Sequence, residues 1–319
     1  MRKTSLDMVH ALAKRDPRIV YIGSDPGSGT LESMRKEFPE RFFIEGISEQ
    51  HVIGMSAGMA MEGFVPYVNT IATFLTRRCF EQVAIDLCMH ELPVRLIANG
   101  GGLVYAPLGP THTAVEDIAI MRALPNMTVV CPTDADEMRR FMEQTPDWPR
   151  PIYIRLGKGG DPVTSREEEG FTIGKAIVKR DPGSVLIATT GIMVHHALGA
   201  IKLLAAKGIQ CGLVHFHTVK PLDEETLLDL AAGVDAVVTL EEHTRIGGLG
   251  SAIVDCLCDR AMLAKPVLRL GLPDKFTHNY GSQDGLLKHY GLDSEGIANS
   301  ISSFVARPSE TQRLALVRN

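Results

Sequence analysis

Glu49 and Phe74 are the residues whose types and spacing point most directly to chemistry. Glu49 follows the run Phe43-Ile44-Glu45-Gly46-Ile47-Ser48, and Phe74 sits in Thr73-Phe74-Leu75 about two dozen residues later. A carboxyl beside an apolar run and an aromatic ring on the next segment make a trap for a flat, basic heterocycle. Each residue also has a plainer reading. Ser48 and Glu49 fit the cap and first-turn acid of a helix, and Phe74 fits a core phenylalanine at a helix start. For Glu49 the two readings can hold at once.

The elements that must position them follow a β/α alternation. Ile19-Val20-Tyr21-Ile22-Gly23 reads as a buried strand ending in the turn-rich loop Ser24-Asp25-Pro26-Gly27-Ser28-Gly29. Open parallel sheets bind ligands at such strand ends. Further strands are expected at 42–44, 65–68, 94–98, 128–130 and 152–155, with helices at 49–61, 74–90, 115–124 and 135–144. The stretch from Gly157 to Gly170 is glycine-rich and then charged, as a surface linker would be. A second alternation follows, with strands at 185–188, 212–214, 236–240 and 267–270 and helices at 195–206, 224–231 and 249–261. The expected fold is therefore α/β with two doubly wound domains, residues 1–165 built on a parallel sheet and a smaller α/β domain at 166–319.

Composition narrows the function. The 319 residues are 45% apolar and 22% charged with a net charge of −5, which describes a globular chain and not one built for nucleic acid or an anionic membrane. The most apolar stretch, 185–206, is interrupted by His195-His196 and Lys202, and charges near the N-terminus break any signal-peptide core. A cytoplasmic protein acting on small molecules or protein subunits is expected. The six cysteines lack metal or redox spacing and read as buried free thiols.

Around Glu49 and Phe74 the sequence resembles the pyrimidine-binding half of the transketolase family of thiamine diphosphate enzymes. The likeness continues through Gly109-Pro110-Thr111-His112, Pro125-Asn126-Met127 and Glu241-Glu242-His243-Thr244 with Gly247-Gly248-Leu249-Gly250. It implies that Glu49 shares a proton with the cofactor's pyrimidine nitrogen, that Phe74 stacks on that ring and that Asp25 helps organise the cofactor loop. It makes His112 a substrate-facing histidine that handles protons on the donor ketose. Arg2, Ser28 and Arg155 align with groups that bind the substrate's distal phosphate, and Arg77 with a phosphate-contacting arginine of some thiamine enzymes. Arginine forks and a glycine-rich loop hold a sulfonate as well as a phosphate. Arg77 and Arg78 could both reach substrate or simply be solvated, and the plain alternatives elsewhere are a frayed terminus for Arg2, a turn residue for Asp25 and an interdomain salt bridge for Arg155. His243 reads as structural, because family precedent gives the second domain to dimerisation and scaffolding.

Two departures from the family pattern matter. No Gly-Asp-Gly motif occurs in the chain, so the Mg2+ that carries the cofactor's diphosphate is expected on a separate N-terminal subunit, in a two-plus-two heterotetramer. The chain itself is expected to hold no metal. Leu108 stands where the family has an aspartate that reads a sugar hydroxyl. A hydroxyl buried against it loses its partner at about 1–3 kcal/mol, so a deoxy, branched or otherwise modified sugar phosphate or sulfonate is expected. The rival readings are a 2-oxo-acid dehydrogenase component of the beta type, a deoxyxylulose phosphate synthase-like enzyme and a non-catalytic regulatory subunit. Retention of Glu49 and Phe74 argues against the last.

Overall fold

Strand β1 (Ile19–Gly23) is buried at all five positions, as a strand covered by helices on both faces must be. It lies inside a seven-stranded sheet with β2 (Phe42–Ile44), β3 (Val65–Ile71), β4 (Arg95–Asn99), β5 (Thr128–Val130) and β6 (Ile152–Arg155). The computed structural model describes residues 1–24, 31–262, 265–277 and 279–306. A second sheet is made by β7 (Ile177–Arg180), β8 (Val185–Thr189), β9 (Cys211–His215), β11 (Ala236–Thr244) and β12 (Val267–Leu272), in the order β12-β11-β8-β9-β7.

The first sheet runs β10-β5-β6-β4-β3-β1-β2, where β10 (Thr218–Lys220) comes from the second half of the chain and pairs antiparallel with β5. β7 is likewise antiparallel to β9, and every other pairing in the two sheets is parallel. The expected α/β class with two parallel-dominated sheets is thus the observed one. The division into halves is less clean than the sequence suggests, because one strand of the first sheet lies beyond residue 166. Neither β7 nor β10 was expected; both are short edge strands whose pairing is decided by tertiary contact.

The helix Arg2–Ala13 buries Leu6, Val9, Leu12 and Ala13 and packs beside the helix Ala135–Met142. That docking orders the N-terminal segment and starts the helix at Arg2. The helix Glu49–Met61 matches its expected bounds, but Ser48 does not cap it through its side chain. Its hydroxyl instead donates to Glu45 O at 2.7 Å. The helix expected over 74–90 is broken into Ala72–Thr76, Phe80–Gln82 and a π-helical turn Val83–Cys88. The break falls at Arg77, Arg78 and Cys79, where the Cys79 thiol donates to Phe74 O. Of the six cysteines, five are buried free thiols and Cys258 is exposed, contrary to the expectation for that residue. No described helix is long and apolar enough to cross a membrane.

Candidate functional site

β1, β3 and β4 lie side by side in the first sheet and end at Gly23, Ile71 and Asn99, and the polar groups of the site gather at these carboxyl ends. Asn69 near the end of β3 donates to Ile97 O at 3.0 Å and to Asn99 Oδ1 at 3.1 Å. Its own backbone carbonyl accepts from Ser24 N at 3.4 Å. Ser24 then donates its hydroxyl to Glu49 Oε1 at 3.2 Å. A buried hydrogen-bonded chain therefore runs from the middle of the sheet to the first residue of the Glu49–Met61 helix.

Glu49 is 2% exposed, and its other oxygen accepts from Arg78 Nη1 at 2.6 Å. The same guanidinium lies over the Phe74 ring, 4.2 Å from its centroid. One planar cation thus donates to the buried carboxylate and covers the aromatic face. Glu49 and Phe74, the pair that the sequence suggests for a flat basic ring, contact the same guanidinium. Cys79 lies close by, and its thiol is pushed up to about 12 by burial, with the charge of Glu49 adding to the effect. It is held as an inert thiol.

His112 also meets Phe74, edge to face with centroids 5.4 Å apart, and its Nδ1 is 2.8 Å from the Thr111 hydroxyl. The loop carrying it is fastened by Arg77. That guanidinium bonds the Glu116 carboxylate and donates to Pro110 O at 3.0 Å and Thr113 O at 2.9 Å. Arg77 therefore braces the Gly109–His112 loop. The arginine that faces Glu49 and Phe74 is its neighbour Arg78, for which the sequence leaves contact with substrate and simple solvation open. Helical spacing alone could not say which of the two adjacent arginines turns inward, because the helix breaks there.

A cleft of about 270 Å³ lies beside this centre, with Arg2, Asn99, Tyr105, Leu108 and Lys158 among its lining residues. Arg2 and Leu108, expected to touch one substrate, are thus on the same cavity wall. Leu108 is 52% exposed there, and Arg2 Nε is buried with no hydrogen-bond partner among the described residues. Lys158 belongs to the linker in the sequence reading, and its place in the lining of the same cleft as Arg2 is visible only in three dimensions.

Arg155, by contrast, departs from its expected role as an anion grip. It is 6% exposed, with Nε 2.8 Å from Asp117 Oδ2 and Nη2 donating to Ala114 O at 3.2 Å and Glu242 O at 2.8 Å. Burial and neighbouring carboxylates leave its guanidinium spanning the two halves, the salt-bridge alternative open at the sequence level. His243 is also buried between the halves, with Nε2 accepting from Ala119 N at 3.2 Å. Asp25 and Ser28 lie outside the described residues. No group of three or more His, Cys, Asp or Glu side chains suited to a metal ion occurs among the described residues.

Residues 1–160 match the model of the transketolase pyrimidine-binding domain, and 174–297 that of the transketolase C-terminal domain. The chain is 36% identical over 308 residues to one of the subunits of the apulose-4-phosphate transketolase of Phocaeicola vulgatus, covering 96% of this chain and 97% of that protein. It is 35% identical over 308 residues to a 6-deoxy-6-sulfo-D-fructose transketolase subunit of Clostridium sp. strain MSTE9, covering 96% and 95%. A solved structure described as a split gene transketolase, inactive beta4 tetramer, superposes with a TM-score of 0.87 at 35% identity, over 95% of this chain and 97% of that one.

Proposed function

Since the chain belongs to the transketolase family, we propose that it is the pyrimidine-binding subunit of a split transketolase that moves a two-carbon ketol unit from an anionic ketose to an aldose. The observation that carries this reading is the pair of contacts made by one planar cation, to the buried Glu49 carboxylate and to the Phe74 face. An aminopyrimidine is planar and hydrogen-bonds at its edge, so Glu49 and Phe74 fit the pyrimidine of thiamine diphosphate. Bound thiamine diphosphate supplies the carbon nucleophile of the reaction.

The residues of this chain bind, orient and move protons. Glu49, shielded from water and steadied by Ser24, exchanges a proton at the pyrimidine ring nitrogen. Phe74 fixes the ring plane and keeps solvent out. His112, packed edge to face with Phe74, handles a proton on the donor ketose. Arg2 and Lys158 draw the anionic end of the substrate into the cleft that Leu108 lines. In this reading Mg2+ and the diphosphate are held by a partner subunit, in a two-plus-two assembly in the cytoplasm; the lack of Gly-Asp-Gly in this sequence supports the partner. The names of the two relatives, for apulose 4-phosphate and 6-deoxy-6-sulfofructose, favour a phosphorylated or sulfonated donor outside the common pentose and hexose phosphates.

The test is reconstitution. The chain mixed with a partner that carries Gly-Asp-Gly, encoded beside it, should transfer ketol units; the chain alone should not. Glu49→Gln should assemble normally yet lose hydrogen–deuterium exchange at the thiazolium carbon. Robust transfer by the single polypeptide, or undiminished exchange in the Gln variant, would refute the reading.

A further inference from the structure

Arg78 stands where a ligand of the Glu49–Phe74 pair must stand. Its guanidinium reaches the carboxylate at 2.6 Å and lies 4.2 Å from the ring centroid. Both are charge-assisted or face-on contacts that a planar cation satisfies together. Glu49 is 2% exposed while the Arg78 side chain is 43% exposed, so the pair is sealed on the acid's side and open to solvent on the arginine's. Apart from Arg78, the hydrogen bond made to the Glu49 carboxylate by another described side chain is that of Ser24 at 3.2 Å. Withdrawing the guanidinium with nothing in its place would strand a buried charge.

The neighbouring arginine makes the contrast. Arg77 is tied to Glu116, Pro110 and Thr113, which fixes it as part of the scaffold. Arg78 is fastened by its backbone, through Gln50 Nε2 to its carbonyl at 3.1 Å, and its side chain contacts the two residues that hold the ring. It lies in the break between the helices Ala72–Thr76 and Phe80–Gln82. A rotation about its side-chain bonds therefore carries the guanidinium to solvent without disturbing either helix.

We propose that Arg78 is a built-in placeholder for the pyrimidine ring: in the cofactor-free protein it neutralises Glu49 and covers Phe74, and it swings out when the ring enters. This rests on the reading of Glu49 and Phe74 as the pyrimidine site. The placeholder keeps a buried acid paired before the cofactor arrives, and it makes the cofactor compete with an intramolecular ligand. Binding by the pyrimidine half alone is thereby disfavoured. Net binding then depends on the diphosphate grip that the partner supplies, which ties cofactor uptake to assembly.

The proposal is tested by calorimetric titration of thiamine diphosphate with Mg2+ into the assembled complex. Parent, Arg78→Met and Arg78→Lys complexes are compared, with the fold of each checked by circular dichroism. Removing the competitor should tighten cofactor binding by roughly tenfold in the Met variant, a half-exposed ion pair and a cation–π contact together being worth about that factor. The Lys variant, charged but not planar, should fall between. In Arg78→Ala, millimolar methylguanidinium should refill the space and weaken cofactor binding, with no effect on the parent. Equal or weaker cofactor binding by the Met and Lys variants would overturn the proposal and make Arg78 a contact of the bound cofactor. A parent complex that binds no thiamine diphosphate would instead remove the functional reading on which the proposal stands.

Discussion

Leu108 sits on a short helical turn, Ala106–Leu108, half exposed to a cleft whose cationic residues are Arg2 and Lys158. An apolar side chain at that point offers nothing to a sugar hydroxyl, and the two cations beside it select for an anion. Leu108→Asp should therefore raise kcat/KM for common donors such as xylulose 5-phosphate or fructose 6-phosphate by about tenfold, the worth of one restored hydrogen bond. Because the new carboxylate would also face Arg2 and Lys158, Leu108→Asn serves as the uncharged control. A donor panel measured on the assembled enzyme decides it: no gain with either variant would return Leu108 to a packing role. Glu49, Phe74, His112, Arg2 and Leu108 could be named as candidates in the sequence because residue type and motif single them out. Where Arg78 and Lys158 point could not be read there, since a helix break and a linker path set it. Arg155 was legible only as two alternatives, and burial beside Asp117 favours the ion pair.

At the scale of elements, the helix Glu49–Met61 and the strands β1 to β6 could be read from runs of apolar residues and their bounding turns. β10 could not, because three residues gain strand geometry only by pairing with β5 across the halves. A similar junction is made by the run Gly100-Gly101-Gly102. A Cβ on Gly101 would fall 2.5 Å from the Arg155 side chain, and one on Gly102, at φ +66°, 2.3 Å from the Glu242 carboxyl. The absence of side chains lets this loop lie flat on the second half, where Glu242 accepts from Leu103 N at 2.9 Å and Gln283 Nε2 at 2.8 Å. Burial pushes the Glu242 carboxyl up to about 7 despite the nearby Arg155. A folded pKa above the unfolded value means that the folded chain holds this proton more tightly. The resulting stabilisation is complete below the ordinary carboxylate range and is lost as pH rises through about 7. Urea midpoints measured from pH 5 to pH 8 should fall more steeply for the parent than for Glu242→Gln, which keeps an acceptor but cannot ionise. Parallel slopes would assign the pH dependence to other groups.

Across the whole molecule, the two sheets are joined by a buried polar seam as well as by β10. Asp117 accepts from Tyr153 and Arg155, each at 2.8 Å, and Arg155 reaches across to the Glu242 carbonyl and carboxylate. Asp117 and Glu242 are 0% and 2% exposed, so Arg155 is the cation that compensates the buried Asp117 carboxylate and, once it ionises, that of Glu242 from the opposite half. Truncating one partner of such a cluster costs far more than the cluster contributes, because the remaining charges stay buried without compensation. Arg155→Met should therefore lower unfolding free energy by about 3–5 kcal/mol. Arg155→Met with Asp117→Asn should recover part of the loss, since a neutral amide tolerates burial better than an orphaned carboxylate. Urea unfolding of both variants at neutral pH measures the stability arm, and kinetics of the assembled enzyme measure the other. If Arg155 acts chiefly as an anion grip, its loss raises KM for phosphorylated or sulfonated donors and leaves the urea midpoint near that of the parent. A large drop in the midpoint with partial rescue by Asp117→Asn assigns it instead to the seam between the halves, and leaves Arg2 and Lys158 to hold the substrate's charge.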